Sequence, residues 1–589
     1  MANLQTLFSY MARGLDIRTI LLGLIVFLVL SWIVSSYRNQ VQNLPPGPMA
    51  WPLIGCLPQL LFMCFKTKSI DHIKSHLCET YGPVCNVPLP FGINVVLVSG
   101  YNAVNELFRS PQFDQRVPVP RLDLPEEVLN GAGVLLSVGE LWQEHRRFSM
   151  TVLRSFGVGK RSFEDQIATE TEYLMKEISS TQSNPFDPSL LLSNATSNII
   201  CSVVIGKRFE YDDPELKDLL HSVEEILRHS AITISFVFAP KLVYYLTMIP
   251  FLPKGPLPFM ISVRRKLHEI VIEHRDTFDS ENLRDYIDVY LNDMQMKLGQ
   301  ELPTHFSDVE LRAVIGDFFG AGTETTATTL RWALLYMLKY PAVQKKVHEE
   351  LDSVIGRDRL PKMSDKPNLP CTVAVIHEIQ RFASIFLPFL RYANQDVAEF
   401  QGFAIPKGSY MQASLYSVSR DASIWRDPDE FKPERFLDER GNVIKIPENM
   451  AFGAGKRVCL GEQLARMELF LFYTHLMHRY TIKKPAGMDI VNIQKKYKYQ
   501  DLVADCENRG RCTHYFPIEM GSRGIYNTSL TKCIAALGVP GGKGRNIMDV
   551  AYKTALSILE EFRQTDLIQS WKPSPIEVKE DVPAQDTQT

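Results

Sequence analysis

The chain has 589 residues, of which 45% are hydrophobic and 22% are charged. This length exceeds the roughly 250 to 300 residues at which single hydrophobic cores usually stop growing, so we expect a large elaborated domain or several domains. The composition is typical neither of a disordered chain nor of a protein that crosses the membrane many times. The formal net charge of −3 provides no basic field of the kind that nucleic-acid binding uses, so we expect no nucleic-acid partner.

Ten cysteines are irregularly spaced, and no CxxC pair suggests a zinc ribbon or a redox-active dithiol. We therefore expect most of them to be reduced and buried.

An uncharged apolar run lies between Arg18 and Arg38. As a helix, residues 19–37 would extend roughly 28 Å, close to the hydrocarbon thickness of a bilayer. A cleavable secretory signal is the alternative, but no clear small-x-small cleavage site follows, so an uncleaved transmembrane anchor is favoured. Arg13 and Arg18 precede the run and Arg38 follows it, so the positive-inside rule does not decide the orientation.

A proline-rich segment, residues 44–48, follows the apolar run and favours an extended, semi-rigid spacer. We therefore assign residues 1–43 to the membrane anchor and linker, and begin the main domain, 44–487, there. A second apolar stretch, residues 232–252, is interrupted by two prolines and a lysine, which argues against a second spanning helix. It is either buried core or a surface segment that dips into the membrane.

Helical patterns dominate the main domain, with short strand-like runs such as residues 95–98. One predicted helix stands out, since Ser307 and Glu310 are spaced as a capping box and the apolar pattern continues to Tyr340. At 1.5 Å per residue this helix would be roughly 50 Å long. Three glycines in its middle cost helix stability, and a flat cofactor close by or a local groove would explain them. They are Gly316, Gly320 and Gly322.

The most specific chemical signal is the segment 452–461, which reads FGAGKRVCLG. A metal-bound thiolate in a buried site needs backbone N–H donors near its sulfur, and glycines allow a loop to turn close to a ring. The helical pattern after Leu460 predicts a helix N-terminus near Cys459, which favours an anionic sulfur. Arg457 could pair with a carboxylate on the rim of a cofactor. An inert core cysteine is the usual alternative, and the ten-residue pattern argues against it.

This segment resembles the haem-binding loop of the cytochrome P-450 family, FxxGxRxCxG, through Phe452, Gly455, Arg457, Cys459 and Gly461. Four further motifs match in the family's order, and they are Trp142-x-x-x-Arg146, AGTETT at 321–326, Glu378-x-x-Arg381 and PERF at 433–436. The proline-rich hinge and the wording of 455–470, GKRVCLGEQLARMELF, look most like the microsomal family-two branch, which oxidises fatty acids, steroids and foreign compounds. Over roughly residues 17–487, the resemblance implies a mainly α fold with small β-sheets, preceded by the transmembrane helix.

The resemblance also implies a haem b site with Cys459 as the axial ligand of iron. Trp142 and Arg146 are at i,i+4 on an apparent helix, so both could reach one haem propionate. A surface aromatic ring packed on an arginine stem is the alternative for that pair. Arg391 stands where related proteins place another propionate contact, and Phe452 and Arg457 complete the predicted cofactor-binding set.

Glu324 and Thr325 are the predicted catalytic residues, because an acid beside a hydroxyl can relay protons to dioxygen. The alternative is a hydroxyl bonded back to its own helix and a solvated glutamate. Glu378 and Arg381 are one helical turn apart, and Arg435 could join them in a buried structural network. An exposed ion pair is the alternative there.

The activity implied by the resemblance inserts one atom of dioxygen into a lipophilic substrate and releases the other as water. No glycine-rich dinucleotide fingerprint follows a strand here, so the expected electron donor is a separate membrane-bound NADPH-dependent reductase. The resemblance implies the endoplasmic reticulum membrane, with the catalytic domain on the cytosolic side. The apolar residues that fall where family members line the substrate pocket are Phe318, Phe319, Ile385, Phe386 and Leu387.

Two other functions stay open. A haem-thiolate protein that isomerises or dehydrates peroxides would not need the Glu324 and Thr325 pair. A non-catalytic or impaired haem-binding membrane protein would keep the whole pattern. The motif resemblance stops after Gly487, and for 488–589 we predict a largely disordered extension with one short amphipathic helix. A real extra module and a hybrid gene product both explain this break, and we expect an incomplete distal wall of the pocket.

Overall fold

A computed structural model describes residues 43–51, 53–66, 70–117, 132–158, 161–182, 184–229, 255–385 and 390–483. The predicted membrane anchor, the second apolar stretch and the C-terminal extension lie outside these ranges, apart from Asn43. Within the described ranges, no helix is both long and apolar enough to cross a membrane.

The described residues form fourteen α-helices, which confirms the mainly helical prediction. In chain order they are α1 (Leu57–Lys66), α2 (Ile70–Tyr81), α3 (Tyr101–Arg109), α4 (Gly139–Ser155), α5 (Arg161–Ser180), α6 (Ser189–Val204), α7 (Pro214–Arg228), α8 (Leu257–Asp276), α9 (Tyr286–Gly299), α10 (Asp308–Lys339), α11 (Pro341–Val354), α12 (Pro370–Ala383), α13 (Leu415–Ser419) and α14 (Glu462–Arg479).

Seven short strands in the described residues form two small sheets, as predicted. They are β1 (Val84–Pro88), β2 (Asn94–Val98), β3 (Gln115–Arg116), β4 (Arg391–Tyr392), β5 (Val397–Phe400), β6 (Phe403–Pro406) and β7 (Tyr410–Ala413). The larger sheet has the order β1-β2-β7-β4-β3, in which β2 and β7 are parallel and the other pairs antiparallel. The β5–β6 hairpin forms the second sheet.

The long helix α10 begins where its sequence predicts. The hydroxyl of Ser307 caps it by accepting the N–H of Glu310 at 3.3 Å. The other half of the predicted capping box differs, because the N–H of Ser307 donates to the Tyr290 hydroxyl and the Glu310 carboxylate accepts the N–H of Gly133. Glu310 therefore ties the loop before α4 to the start of α10, a long-range contact that the spacing did not reveal.

Two of the α10 glycines are explained by helix packing. A Cβ atom at Gly322 would lie 3.1 Å from Ile200 of α6, and one at Gly316 would lie 3.0 Å from Leu267 of α8. The absence of side chains therefore lets two neighbouring helices approach α10 closely. Helix α14 packs on the same core and is buried along most of its length, from Leu464 to His478. Together α10 and α14 form the frame to which the cysteine loop is attached.

The expectation about the cysteines is met in part among those that the structure describes. All seven described cysteines are free, but only Cys56, Cys85 and Cys201 are buried.

The predicted network around Glu378 is present. Glu378 and Arg381 of α12 are completely buried, with Nε to Oε2 at 2.7 Å, and Arg435 approaches the same carboxylate at 3.2 Å. The exposed ion-pair alternative is therefore wrong.

Candidate functional site

A cavity of about 640 Å³ adjoins α10, α14 and the loop before α14. Seven of the eight residues predicted for the site line it. They are Trp142, Arg146, Thr325, Arg391, Phe452, Arg457 and Cys459. The eighth, Glu324, is not among the lining residues.

The cysteine loop is shaped by glycines and closed by backbone hydrogen bonds. Gly453 and Gly455 have φ angles of 74° and 73°, which side-chain-bearing residues rarely adopt. A Cβ atom at Gly455 would lie 1.9 Å from the carbonyl oxygen of Phe108, so no larger residue fits there without a shift. The N–H of Cys459 donates to the carbonyl of Phe452 at 3.0 Å, which closes the loop. The sequence therefore places the thiol at a defined point.

Cys459 stands in the cavity wall just before α14, which begins at Glu462. This confirms the predicted helix N-terminus beside the cysteine. Burial raises the pKa of the Cys459 thiol, whereas the N–H of Gly461 lowers it. The side chain is nevertheless accessible, because it opens into the cavity. Coordination of a metal cation by Cys459 would lower the pKa of its thiol, since the cation stabilises the thiolate directly.

A group of four arginines lies along the cavity and includes one that sequence reasoning missed. Arg391 of β4 pairs in register with Arg116 of β3, and both line the cavity with Arg146 and Arg457. Like charges directly opposite one another in a strand pair are destabilising, so this arrangement requires a compensating partner. No spacing pattern marked Arg116, because it meets Arg391 only through the long-range register of the sheet. We call Arg116, Arg146, Arg391 and Arg457 the arginine cluster.

Hydrogen bonds to backbone carbonyls hold all four members of the cluster, and Arg116 donates to Leu390 at 3.3 Å. Arg146 donates to Val458 at 2.7 Å, and Arg391 donates to Asp114 at 3.4 Å. Arg457 donates to Asp114 at 3.1 Å and to Ser137 at 2.9 Å. These bonds orient the guanidinium groups without cancelling their charge.

The electrostatic cost of the arginine cluster is visible in the pKa values. Burial, followed by the charge of Arg391, lowers the pKa of Arg457 to about 9. Burial also lowers the pKa of Arg391 to about 10, with Asp114 offsetting part of the effect. The pKa of Arg116 is lowered by burial and then by Arg391, Arg457 and Arg146. The site therefore disfavours its own positive charges, and an anionic group would relieve that cost.

Unpartnered donors test whether a haem fits this site. Among the described residues, the buried Trp142 Nε1, Arg391 Nε and Arg457 Nη1 have no hydrogen-bond partner. The guanidinium of Arg457 also lies 3.8 Å from the ring centroid of Trp142, which fixes both groups in one place. Free N–H donors on a cationic surface match the two carboxylates of a haem, and the thiol of Cys459 matches its iron. The residues present therefore fit the group.

The side chains of the two predicted catalytic residues lie in different surroundings. Thr325 lines the cavity, and its hydroxyl donates to the carbonyl of Ala321 at 2.7 Å. The carboxylate of Glu324 instead pairs with Arg331 at 2.6 Å and accepts the hydroxyl of Ser193 at 3.2 Å. The solvated glutamate of the alternative is wrong, since Glu324 is partly buried and ion-paired. The other part of that alternative is present, since the Thr325 hydroxyl bonds back to its own helix. Of the two predicted catalytic residues, only Thr325 lines the cavity.

The prediction of five apolar residues in the substrate pocket is confirmed only in part. Phe318 and Ile385 line the cavity, whereas Phe319 packs in the hydrophobic core. Phe386 and Leu387 lie outside the described residues.

Comparison with known proteins matches residues 45–503 to the family model described as Cytochrome P450, a range that runs past Gly487. Cytochrome P450 2D26 of Rattus norvegicus is 38% identical over 479 residues, which cover 80% of this chain and 94% of that protein. Cytochrome P450 2C5 of Oryctolagus cuniculus is 40% identical over 486 residues, covering 80% and 95%. Cytochrome P450 2U1 of Homo sapiens is 36% identical over 494 residues, covering 79% and 88%.

Proposed function

Because this chain belongs to the cytochrome P450 family of haem-thiolate monooxygenases, we propose that it oxidises a lipophilic substrate with electrons from an NADPH-dependent reductase. One observation carries the proposal: Cys459 and the arginine cluster line the same cavity. A thiol alone is compatible with many roles. A thiol that shares a cavity with Arg391 and Arg457, each of which keeps a buried N–H without a partner among the described residues, suits a metal complex that bears carboxylates.

We infer the residues that hold the cofactor from this arrangement. Cys459 would ligate the iron of haem b, and the arginine cluster with Trp142 would receive the propionates. Phe452 would pack beside the ring, since it lines the cavity and stacks below Arg466 at 4.7 Å. When bound, the haem supplies reductive activation of dioxygen, with one oxygen atom transferred to the substrate and the other leaving as water. The protein residues bind, orient and exclude water.

Thr325 is our proposed proton carrier at the cavity. Its hydroxyl donates its one proton to the carbonyl of Ala321, so it would rotate away from that carbonyl to pass a proton toward the cavity. Glu324 is the proposed acid behind it, and its pairing with Arg331 means that proton exchange requires this ion pair to open. Replacing Glu324 by Gln should then weaken coupling of electron use to product, and unchanged coupling would remove Glu324 from the relay.

The proposed setting is the endoplasmic reticulum membrane, with the haem domain on the cytosolic side. The apolar run between Arg18 and Arg38 and the resemblance to the microsomal family-two branch support it. A reductase in the same membrane would supply electrons. An apolar wall that includes Phe318 and Ile385 suits lipophilic substrates. For the C-terminal segment 488–589, we retain a loosely attached extension as a proposal that limited proteolysis would test.

Reconstitution tests the proposal directly. The full chain is combined with reductase, NADPH and a panel of neutral lipophiles, and oxygenated products are identified by mass spectrometry. Formation of a product that carries one oxygen atom from labelled dioxygen is the expected result. NADPH consumption without product across the panel, from a protein that binds haem through Cys459, would indicate the non-catalytic alternative.

A further inference from the structure

Helix α4 carries residues of the proposed haem site on one face and is held by α9 on another. Trp142 and Arg146 line the cavity, and Arg146 donates to the carbonyl of Val458, the residue before Cys459. His145 lies between these two residues in sequence, but it is completely buried and is not among the residues that line the cavity. The position of α4 therefore sets where both cofactor contacts stand, and His145 is part of what fixes that position.

The imidazole of His145 has one hydrogen-bond partner at each ring nitrogen. Nδ1 lies 2.9 Å from the carbonyl oxygen of Leu141, and Nε2 lies 3.0 Å from the hydroxyl oxygen of Tyr290 on α9. Because a carbonyl only accepts, Nδ1 carries a proton, so Nε2 of the neutral ring accepts the hydroxyl of Tyr290. Burial lowers the pKa of His145 more than the Leu141 carbonyl raises it, so the ring is neutral at pH 7. Tyr290 therefore donates to α4.

The hydroxyl of Tyr290 also reaches the start of α10. It accepts the N–H of Ser307, the N-cap residue of α10, at 3.2 Å and lies 3.3 Å from the Ser307 carbonyl oxygen. A hydroxyl has one proton, so Tyr290 can donate to His145 or to the Ser307 carbonyl but not to both. A charged His145 would donate to Tyr290, whose hydroxyl would then turn to Ser307. The protonation state of His145 therefore determines whether α4 or α10 accepts the Tyr290 hydroxyl.

Glu144, the residue before His145, holds the same helix to the end of α9 and to the segment that follows it. Its carboxylate accepts the Lys297 ammonium at 3.0 Å, the Thr304 hydroxyl at 3.2 Å and the His305 N–H at 3.1 Å. Against burial, which raises it, hydrogen bonds from His305 and Lys297 lower the pKa of the Glu144 carboxyl to about 2. Glu144 and His145 therefore anchor α4 at two adjacent points and resist its rotation about the helix axis.

We propose that His145 is a positioning residue of the haem site, which acts through its hydrogen bond with Tyr290. This bond holds α4 in the rotation at which Trp142 and Arg146 face the carboxylates of the haem. The inference rests on the proposed haem-dependent function and adds to it a residue that does not line the cavity. Loss of the bond should leave the cysteine loop in place and weaken the hold on haem.

The rate of haem transfer from the loaded full chain to a high-affinity acceptor in excess tests this role. His145→Leu removes the acceptor of the Tyr290 hydroxyl and should speed transfer about five- to tenfold at pH 7.5. His145→Gln offers an amide oxygen to the same hydroxyl and should stay within about twofold of wild type. Tyr290→Phe removes the hydroxyl, and its effect should not add to that of His145→Leu, because both variants break one bond. Gln143→Leu is the matched control, since Gln143 is exposed on the same helix.

The pH dependence of transfer is a readout that a merely space-filling role would not change. Burial lowers the pKa of His145, and the charged or titratable side chains that face the ring change it less; they are Glu310, Glu144 and His305. The contribution of the neutral ring is therefore present above about pH 6.5 and is lost as the pH falls through the folded pKa. From pH 7.5 to pH 5.5, the wild-type rate should rise about threefold more than that of His145→Gln, which does not titrate. His305→Gln should keep the wild-type ratio.

Equal transfer rates for wild type and His145→Leu would overturn the proposal. Additive effects of His145→Leu and Tyr290→Phe would also overturn it, as would equal pH ratios for wild type and His145→Gln. Should His145→Leu fail to accumulate with haem, Tyr290→Phe carries the same test, since it retains the aromatic ring. If reconstitution with reductase yields no product while the transfer rates behave as expected, the proposed function fails and the positioning role stands.

Discussion

Two groups of arginines are buried or partly buried in this protein, and they differ in the partners that surround them. Arg381 is completely buried, yet it pairs with Glu378 and donates to the carbonyls of Pro428 and Glu430. Arg435 adds a second cation to the same carboxylate. In the arginine cluster, by contrast, Arg391 and Arg457 donate to carbonyls and each keeps a buried N–H without a partner among the described residues.

The comparison distinguishes buried charges that stabilise the fold from buried charges that are suited to bind a ligand. A buried cation is tolerated when hydrogen bonds and an opposite charge replace its hydration. The Glu378 network meets this condition within the protein, so its contribution should be to the stability of the fold. Arg391 and Arg457 of the arginine cluster do not meet it through the described residues alone, so their contribution should be to cofactor binding.

The largest expected effect is the loss of stability that follows a substitution in the Glu378 network. Glu378→Gln leaves Arg381 buried without its counter-charge and should cost about 3 to 5 kcal/mol of unfolding free energy, enough to abolish accumulation of folded protein. Soluble expression and thermal unfolding measure it. Glu434→Gln is the control, since Glu434 pairs with Lys346 where both side chains are more than half exposed. Equal stability of the two variants would contradict the distinction.

A smaller and different effect is expected in the arginine cluster. Arg457→Gln removes a cation whose own burial is costly, so the protein should stay folded while haem affinity falls about tenfold or more. The rate of haem transfer to a high-affinity acceptor measures this loss. Lys456→Gln provides the control, because that neighbouring side chain is 61% exposed and pairs with Asp114. Unfolding of the Arg457 variant with unchanged haem affinity would assign the cluster to the fold instead.

Thr325→Ala should leave haem and substrate binding intact and divert several-fold more reducing equivalents to hydrogen peroxide, because the cavity loses its proton-carrying hydroxyl. The measurement is the ratio of product to NADPH consumed. Thr329→Ala is the matched control, since Thr329 also lines the cavity and its hydroxyl donates to a carbonyl four residues earlier at 2.8 Å. Unchanged coupling in the Thr325 variant would exclude this role.

The smallest effect concerns a buried acid on α14. Burial raises the pKa of Glu468 to about 8, and the Thr326 hydroxyl that donates to it at 3.0 Å offsets this only in part. An unfolded glutamate titrates near about 4.3, so its stabilising contribution is fully present below that pH and is lost as the pH rises through about 8. Glu468→Gln should therefore gain a few degrees of unfolding temperature relative to wild type between pH 5 and pH 8. Glu462→Gln, at the more exposed start of the same helix, is the matched control.

Local spacing predicted the parts of the site that lie close together in sequence. The loop at 452–461, the helix start at Ser307 and the Trp142–Arg146 pair depend on residues a few positions apart, so turn and helix geometry determined them. Arg116 was missed and the partner of Glu310 was wrong, because both depend on segments that meet only in the folded chain. Glu324 was predicted as an acid near the cavity, and its pairing with Arg331, seven residues later, turns it away.

The carbon monoxide difference spectrum of the reduced protein tests the central claim most directly, because its position reports a thiolate ligand on haem iron. Wild type should show the thiolate-type absorption shift, and Cys459→Ser should lose it. Cys371→Ser should keep it, since that free cysteine on α12 is not among the residues that line the cavity. Retention of the thiolate-type shift by the Cys459 variant would remove Cys459 from the iron and contradict the account.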